Sequence, residues 1–392
     1  MTTNARTLLF VHPSDELYGA DRVLLEIVRG LRPDDRALVV LPTDIAYAGE
    51  LTHALRELGA EVRHIDMAIL RRANLQPRRL PRLCWRFVRG SLAIACLARS
   101  RDVALIHSNT LAAPCGAVAA ALARRPHLWD VHENLADEPR AYASLLRALL
   151  SLAPGKVLAN SISSARSLVG ASARRKRKTR VLYYGVPDPF PLAKFPPPRA
   201  EPGELRVCFL GRLTPRKGIG EALEAVALLH ASGVAVRFDV YGSAPPGQEW
   251  RDAAWREQAE RLGIAGITTF HGFVPDARER LLECDVLLVP SQRPEPFGLV
   301  LVEGMLAQRA VVATRNGGGS DEILEDGRTG LYCERDPPAI AATLERLARD
   351  PELLRALGPA ARDAALERFS VARFHAEMLS IYDLLTSASS KM

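Results

Sequence analysis

The sequence has few cysteines and no long apolar run, and both absences exclude classes of protein. No two cysteines have the C-x-x-C spacing of zinc ribbons or thioredoxin-like sites; they are Cys84, Cys96, Cys115, Cys208, Cys284 and Cys333. The longest apolar run, Leu111 to Ala123, spans 13 residues, whereas a transmembrane helix needs about 20. The apolar segment before His12 is too short for a signal peptide. We therefore expect a soluble cytoplasmic protein, with peripheral contact to the inner face of a membrane left open.

The sequence also lacks the motifs of two common ligand classes. No G-x-G-x-x-G follows the first apolar run, which argues against a nicotinamide dehydrogenase. The formal net charge of +7 suits anionic small ligands, anionic membranes or nucleic acid. No nucleic-acid-reading module accompanies the basic residues, so we expect no nucleic-acid partner.

Short apolar runs alternate with amphipathic segments along the whole chain. The predicted strands are 7–11, 37–41, 61–65, 103–107, 127–131, 156–160, 181–185, 205–211, 236–242, 267–273, 285–291, 310–316 and 330–333. Because these runs lack clean polar alternation and helical patterns separate them, they indicate parallel sheets covered on both faces. A Pro-rich stretch at 187–204 has the composition of a linker. The predicted fold is therefore α/β, with two doubly wound, Rossmann-like domains that face a central cleft.

The segment "FLGRLTPRKGIGEAL" (209–223) has the pattern of a strand, a loop and a helix. Arg212 and Lys217 flank the loop, and the predicted helix begins near Gly218. A helix N-terminus beside two cations is suited to an anion, most simply a diphosphate. The alternative is that both are solvated loop charges.

The segment "RPEPFGLVLVEG" (293–304) places seven residues between Glu295 and Glu303. We expect a helix to begin near Phe297, with its first N–H groups available to a phosphate. Glu295 then precedes the helix, and Glu303 lies inside it, where burial requires hydrogen-bonding partners such as ribose hydroxyls. The alternative is that Glu295 caps the helix and Glu303 is a partly exposed charge. Further on, Gly317 to Gly319 follow a predicted strand and would let the backbone approach a ligand closely.

Taken together, "GRLTPRKG", "HGFVPD", "PSQRPEPFGLVLVEGMLAQRAVVAT" and "GGGSDEILEDGRTGLY" resemble the nucleotide-binding domain of family-4 retaining glycosyltransferases. These segments span about 205 to 333, and the E-x7-E spacing around P-F-G is the most specific of them. The resemblance implies a GT-B fold. It implies an acceptor-binding domain over 1–186, the linker 187–204, a nucleotide-sugar-binding domain over 205–370, and a helix over 371–392 that crosses back to the first domain.

The resemblance also implies roles for individual residues. Glu295 would lie by the sugar hydroxyls of the donor and Glu303 would hold the ribose, while Arg212 and Lys217 would bind the diphosphate. The backbone at Phe297, Gly298 and Leu299 would face the sugar and phosphate, and the backbone at Val274 would read the nucleobase edge.

The first domain resembles the family more loosely. "LYGADRVLLEIVRGL" (17–31) is similar to the family's glycine-rich loop, with Tyr18 in place of the first glycine and Asp21 in place of a glutamate. Gly19 would still allow close approach to the diphosphate, whereas Tyr18 would reshape the acceptor pocket. "LWDVHENLAD" (128–137) matches the segment that bears a histidine near the donor sugar, which implies that role for His132; the alternative is an ordinary, partly buried histidine.

The implied reaction is transfer of a sugar from a UDP- or GDP-sugar, with retention, to a glycan or lipid-linked acceptor of cell-surface polysaccharide or glycoconjugate biosynthesis. No D-x-D motif lies in the expected place, so we expect no obligatory metal or other cofactor. A nucleotide-sugar epimerase of the same fold, or transfer to a small soluble acceptor, remains an alternative.

The segment "RRANLQPRRLPRLCWRFVRG" (71–90) contains seven arginines and no acidic residue. Basic residues interleaved with Trp85 and Phe87 on a helix suggest attachment to anionic lipid. A solvated basic helix is the alternative. A second basic run at 173–180 is interpreted as a surface loop.

Overall fold

The computed structural model divides into two units, one of Met1–Gly185 with Val371–Met392 and one of Val186–Ser370. The residues that the structure describes are 5–17, 19–71, 74, 76–153, 155–190, 204–245, 247–274 and 276–389. Tyr18, most of the predicted linker (191–203) and residues 72, 73 and 75 of the basic stretch therefore lie outside the described residues.

Within the described residues, the first unit has a sheet of seven parallel strands in the order β3-β2-β1-β4-β5-β6-β7. The strands are β1 Thr7–Val11, β2 Arg36–Pro42, β3 Glu61–Ile65, β4 Val103–Asn109, β5 His127–Val131, β6 Lys156–Ala159 and β7 Thr179–Val181. The helices are α1 Gly19–Arg29, α2 Glu50–Glu57, α3 Leu80–Ser100, α4 Cys115–Ala123, α5 Arg140–Leu152, α6 Ile162–Val169 and α7 Ala173–Lys178.

The second unit, as far as the chain is described, has a sheet of six parallel strands in the order β10-β9-β8-β11-β12-β13. The strands are β8 Leu205–Leu210, β9 Val236–Tyr241, β10 Thr268–Gly272, β11 Val286–Val289, β12 Ala310–Thr314 and β13 Leu331–Cys333. The helices are α8 Ile219–Ala231, α9 Trp250–Arg261, α10 Leu299–Leu306, α11 Pro337–Arg349 and α12 Pro351–Arg368.

The C-terminal helix α13, Val371–Ser389, belongs to the first unit. Tyr382 Oη lies 2.8 Å from Nδ1 of His107 on β4, and His375 Nε2 lies 2.8 Å from the carbonyl oxygen of Glu26 on α1. These contacts hold α13 on the sheet and helices of the first unit, so the predicted return of this helix is confirmed.

The burial of the strands explains why sequence patterns predict this fold. Every residue of β5 and of β12 is buried, as expected where helices cover both faces of a parallel sheet. Each predicted strand overlaps a strand of the structure, and the prediction of two doubly wound α/β domains is confirmed.

One predicted strand is displaced. We expected 181–185, whereas β7 is Thr179–Val181. The chain leaves the sheet after Val181 because the Tyr184 hydroxyl contacts His132 and Gly185 lies against α13. A Cβ at Gly185 would be 2.8 Å from the Cα of Val371.

Candidate functional site

Two loops of the second unit meet at the carboxyl ends of β8 and β11. Gly218 has a φ of 76°, and a Cβ there would lie 1.9 Å from the carbonyl oxygen of Pro290. Only glycine allows this approach. The Gln292 N–H donates to the Arg216 carbonyl at 2.9 Å, and the Arg216 guanidinium donates to the Pro294 carbonyl. The loop with the two predicted cations is therefore fastened to the loop that carries Glu295.

Glu295 is the buried carboxylate at this junction. Its Oε1 lies 2.8 Å from Lys217 Nζ and accepts from Ser291 Oγ at 2.9 Å. Burial raises the pKa of Glu295, but the charge and hydrogen bond of Lys217, together with Ser291, outweigh burial, so the net pKa is below its ordinary value. Glu295 is consequently an ion-paired carboxylate at neutral pH, and Lys217 is more than a solvated loop charge.

The backbone of Glu295 is held by the loop after β12. A Cβ on Gly318 would lie 2.3 Å from the Glu295 nitrogen and 2.4 Å from its carbonyl oxygen, and the Gly319 N–H donates to that oxygen at 2.6 Å. Asn316 Oδ1 accepts from the Gly318 N–H at 2.9 Å and from Ser320 Oγ at 3.1 Å. The glycines at 317–319 thus allow the loop after β12 to pack closely against the backbone of the loop that carries Glu295. Asn316 was not among the predicted site residues, although an asparagine before a glycine run is typical of a side chain that hydrogen-bonds the backbone of its own turn.

Helix α10 begins two residues later than predicted. Gly298, with a φ of 114°, precedes Leu299 and provides no side-chain cap, so the alternative that Glu295 caps the helix is wrong. The Phe297 ring is buried and packs edge-on against Phe369, with 5.7 Å between centroids. The Phe297 ring is therefore not available to a ligand, and only the backbone of this residue can contact one. The first N–H groups of α10 have no acceptor within the helix, as at every helix N-terminus.

Glu303 lies in the middle of α10 and is 9% exposed, so the alternative of a solvated helix charge is wrong. Arg278 is its electrostatic neighbour. The pKa of Arg278 is raised mainly by its hydrogen bond to Asp276, and the negative charge of Glu303 raises it further. Val274, the predicted base-reading residue, follows β10 and is partly buried, whereas Arg212 is exposed at the end of β8.

His132 lies directly after β5 in the first unit. Its Nε2 lies 2.8 Å from Asn109 Oδ1, and its Nδ1 lies 2.8 Å from Tyr184 Oη. The His132 and Tyr184 rings stack with 5.2 Å between centroids. The side chain is 11% exposed. Both ring nitrogens are therefore engaged by groups of the same unit.

The charge of His132 is coupled to that of Asp130 on β5. Burial lowers the pKa of His132, but the neighbouring carboxylates together raise it more; the largest of these contributions is that of Asp130, with Oδ2 3.5 Å from Nε2. Burial likewise raises the pKa of Asp130, and His132 lowers it below its ordinary value. Each group thus favours the charged form of the other.

A chain of buried polar side chains leads from Asn109 to α1. Asn109 Nδ2 lies 2.9 Å from His12 Nδ1, and His12 Nε2 lies 2.7 Å from Asp21 Oδ1. Ser14 Oγ donates to the same carboxylate oxygen at 2.6 Å. Gly19 is the first residue of α1. Asp21 was expected only as a departure from the family pattern. His12 and Asn109 were not predicted as site residues; the signal that could have indicated them is a polar residue at the end of a buried strand.

Helix α3 carries most of the basic stretch. Arg71, before the helix, and Arg86, on it, are each paired with an aspartate, at 3.0 and 2.8 Å. The exposed residues in and just before α3 include Arg78, Arg82, Trp85, Arg89 and Leu92. Their spacing of three and four residues places them on one face of the helix.

None of the described helices is long and apolar enough to cross a bilayer. Among the described residues, no three His, Cys, Asp or Glu side chains are grouped as metal ligands would be.

Two family models match the chain. The model described as Glycosyl transferases group 1 matches residues 193–364, and the model described as Glycosyltransferase Family 4 matches residues 18–188. Together these matches cover most of the chain and divide it as the two units do.

Individual relatives agree with the family models. D-inositol 3-phosphate glycosyltransferase of Streptomyces coelicolor is 29% identical over 341 residues, covering 77% of this chain and 73% of that protein. Alpha-maltose-1-phosphate synthase of Mycolicibacterium smegmatis is 32% identical over 189 residues, covering 45% of this chain. The chain spans less than half of the length of several curated relatives that it matches, the synthase among them at 47%. The crystal structure of Anabaena HepE in complex with UDP-glucose is 25% identical, covers 97% of this chain and 100% of HepE, and has a TM-score of 0.80.

Proposed function

The chain belongs to the glycosyl transferases group 1 family and has the GT-B fold, and from this premise we propose that it is a retaining hexosyltransferase. It transfers a sugar from a nucleotide diphosphate donor to a glycan or lipid-linked acceptor, in the biosynthesis of cell-surface polysaccharide or glycoconjugate. The observation that carries this proposal is the ion pair between the partly exposed Lys217 and the buried Glu295, because it brings together the two loops with the predicted diphosphate and sugar contacts.

The proposed chemistry centres on departure of the nucleoside diphosphate. Negative charge develops on the diphosphate as the bond to the sugar breaks, and Lys217, Arg212 and the N–H groups at the start of α10 are placed to offset it. A preorganised donor of this kind contributes about 3 kcal/mol to transition-state stabilisation. The acceptor attacks the same face of the sugar, and the leaving phosphate accepts its proton. Because cationic side chains supply the charge, we propose that no metal is obligatory.

The proposed donor orientation follows from α10. Glu295 precedes the helix and accepts from sugar hydroxyls, and Glu303, buried in its middle, accepts from the ribose hydroxyls. Val274 presents its backbone to the base. HepE, 25% identical, binds UDP-glucose, which supports UDP-sugars as the first donors to examine. His132 lies beside the sugar in this proposal; since both its ring nitrogens are already hydrogen-bonded, it offers the edge of its ring and its main chain.

A screen of UDP-, GDP- and ADP-sugars tests the donor. We expect one nucleotide to raise the melting temperature clearly and its sugar to be hydrolysed slowly without acceptor, equally with and without EDTA. Activity that is abolished by EDTA and restored by Mg²⁺ or Mn²⁺ would contradict the metal-free proposal. Conversion of the donor to a 2-epimer with release of free nucleotide would instead identify the epimerase alternative, and stabilisation by no nucleotide would contradict a donor site.

The exposed face of α3 supports a membrane-proximal acceptor. Arg82 and Arg89 alternate on this face with Trp85 and Leu92, which are 63% and 51% exposed. Arginines attract anionic headgroups, and tryptophan is favoured at the boundary between headgroups and acyl chains. We therefore propose that α3 contacts the inner face of the membrane and brings the enzyme to a lipid-linked acceptor.

Vesicle sedimentation tests this contact. We expect the protein to sediment with phosphatidylglycerol-containing vesicles at physiological salt and not with pure phosphatidylcholine. Arg82→Gln with Arg89→Gln should weaken binding about tenfold or more, since each such charge contributes about 1 kcal/mol. Arg174→Gln with Arg177→Gln removes the same charge from the exposed part of α7 and is the matched control. No sedimentation, or equal loss in both double variants, would contradict a specific contact through α3.

A further inference from the structure

The hydrogen bonds from Asp21 to His132 have a direction that the carboxylate determines. An ionised carboxylate only accepts hydrogen bonds, so the His12 Nε2 facing Asp21 must carry a proton. In neutral His12 the other nitrogen, Nδ1, then has a lone pair and must accept from the Asn109 amide NH₂. The amide oxygen of Asn109 therefore faces His132 Nε2, 2.8 Å away, and it accepts only if that nitrogen is protonated.

We propose that Asp21 acts through His12 and Asn109 as a positioning residue that fixes a proton on Nε2 of His132. The proposal rests on the proposed function for its effect on turnover, since His132 lies beside the donor sugar there. Its structural part stands on contacts within the first unit alone. An amide or imidazole at either intermediate position can be reversed, whereas the carboxylate cannot, so Asp21 is the group that selects one arrangement of the whole chain.

The protonated Nε2 is compatible with everything else that faces the ring. Asp130 lies 3.5 Å from Nε2, and Tyr184 contacts Nδ1. Several other titratable groups surround the His132 ring. Asp130 lies on β5 and Glu133 directly follows His132, while His12 follows β1 and Asp21 lies on α1. The remaining groups are His107 on β4, Tyr184 after β7, and Tyr382 on α13, which contacts His107. Burial lowers the pKa of His107 to about 4, so His107 adds no positive charge at neutral pH.

If the amide of Asn109 were reversed, its NH₂ would face His132 Nε2. That nitrogen would then have to be a lone-pair acceptor, and the imidazolium form would lose its partner. Asp21→Asn removes the group that prevents this reversal. We therefore expect the pKa of His132 to fall in Asp21→Asn and the proton to leave Nε2. We also expect kcat to fall about tenfold or more with a small change in donor KM, because a wrong histidine tautomer is costly in enzymes.

The test is ¹⁵N NMR of histidine-labelled full-length protein, with the His132 signal assigned by its loss in His132→Gln. The wild type should show Nε2 protonated and a raised pKa, and Asp21→Asn should show neither. Asp21→Glu keeps a carboxylate and should restore both. Asp15→Asn is the matched control, because Asp15 is an equally buried carboxylate in the segment between β1 and α1 that contacts Thr52 and His64 instead.

A double variant removes the ambiguity of a damaged fold. Asp21→Asn with Asn109→Asp exchanges the amide and the carboxylate without changing the buried charge, and the carboxylate moved to position 109 offers an oxygen to His132 in either orientation. We expect it to restore the proton on Nε2. An unchanged tautomer and titration of His132 in Asp21→Asn, or a change of equal size in Asp15→Asn, would overturn the proposal. The NMR readout needs no turnover, so it separates this failure from failure of the proposed function, which would appear as a normal His132 response in a protein that binds no nucleotide sugar.

Discussion

We expect replacement of Glu295 with glutamine to lower kcat about a hundredfold or more and to change the affinity for the free nucleotide by less than about threefold. The amide keeps the volume of the side chain, so the buried loop junction stays filled. It removes the charge that pairs with Lys217 and that, in the proposed site, accepts from the sugar hydroxyls. These interactions concern the sugar and the leaving diphosphate, which is why turnover is affected more than nucleotide binding.

Glu303→Ala is the informative counterpart, because it leaves Glu295 and Lys217 intact. It should weaken binding of the nucleotide about tenfold or more, since in the proposed site the ribose hydroxyls would lose a charged acceptor. Isothermal titration with the nucleotide, alongside steady-state kinetics, separates the two effects. Glu257→Gln, which removes an exposed carboxylate on α9, controls for net charge. If Glu295→Gln mainly weakened nucleotide binding and Glu303→Ala mainly slowed turnover, the two roles would have to be exchanged.

Much of the fold is readable from the sequence because it depends on local patterns. Buried parallel strands appear in the sequence as short apolar runs. In the helices between them, apolar residues recur with a period of about 3.6 residues. The strand expected at 181–185 is an exception, because its position depends on contacts between residues that are distant in sequence. Tyr184 and Gly185 look like strand residues, but their positions are decided by contacts with His132 and α13, which are distant in sequence.

In the candidate site, too, some features follow from local sequence patterns and others depend on contacts between distant segments. The spacing of Glu295 and Glu303 predicts both as candidate site residues, and their environments depend on other segments. Lys217, 78 positions before Glu295, lowers its pKa below the ordinary value despite burial, and Gly318 supports its backbone. The connection of Asp21 to His132 through His12 and Asn109 links four separate segments. No spacing rule joins residues in this way, because the order of strands in the sheet brings them together.

Lys217→Met should reduce both activity and stability, and the loss of stability should depend on pH. Turnover should fall about a hundredfold, because in the proposed site one cation would be lost from beside the leaving diphosphate. The free energy of unfolding at pH 7 falls by about 2 kcal/mol, less than for a fully buried pair because Lys217 is partly exposed. Methionine retains the unbranched shape and most of the length of the lysine side chain, so the loss reports mainly on charge rather than on a cavity.

The sign of the pH dependence follows from the pKa of Glu295. In the wild type this pKa lies below the ordinary 4.5, so Glu295 stabilises the fold above that pH and loses the contribution as pH falls through its folded pKa. Without Lys217, burial dominates and the pKa of Glu295 rises above 4.5, which makes the carboxylate destabilising as pH increases. The deficit in melting temperature should therefore be small near pH 4 and grow towards about pH 7. Adding Glu295→Gln should remove most of the deficit without restoring activity, as expected for two residues that interact directly. A deficit that is the same at both pH values, or that persists in the double variant, would show that Lys217 stabilises the loops by some other contact.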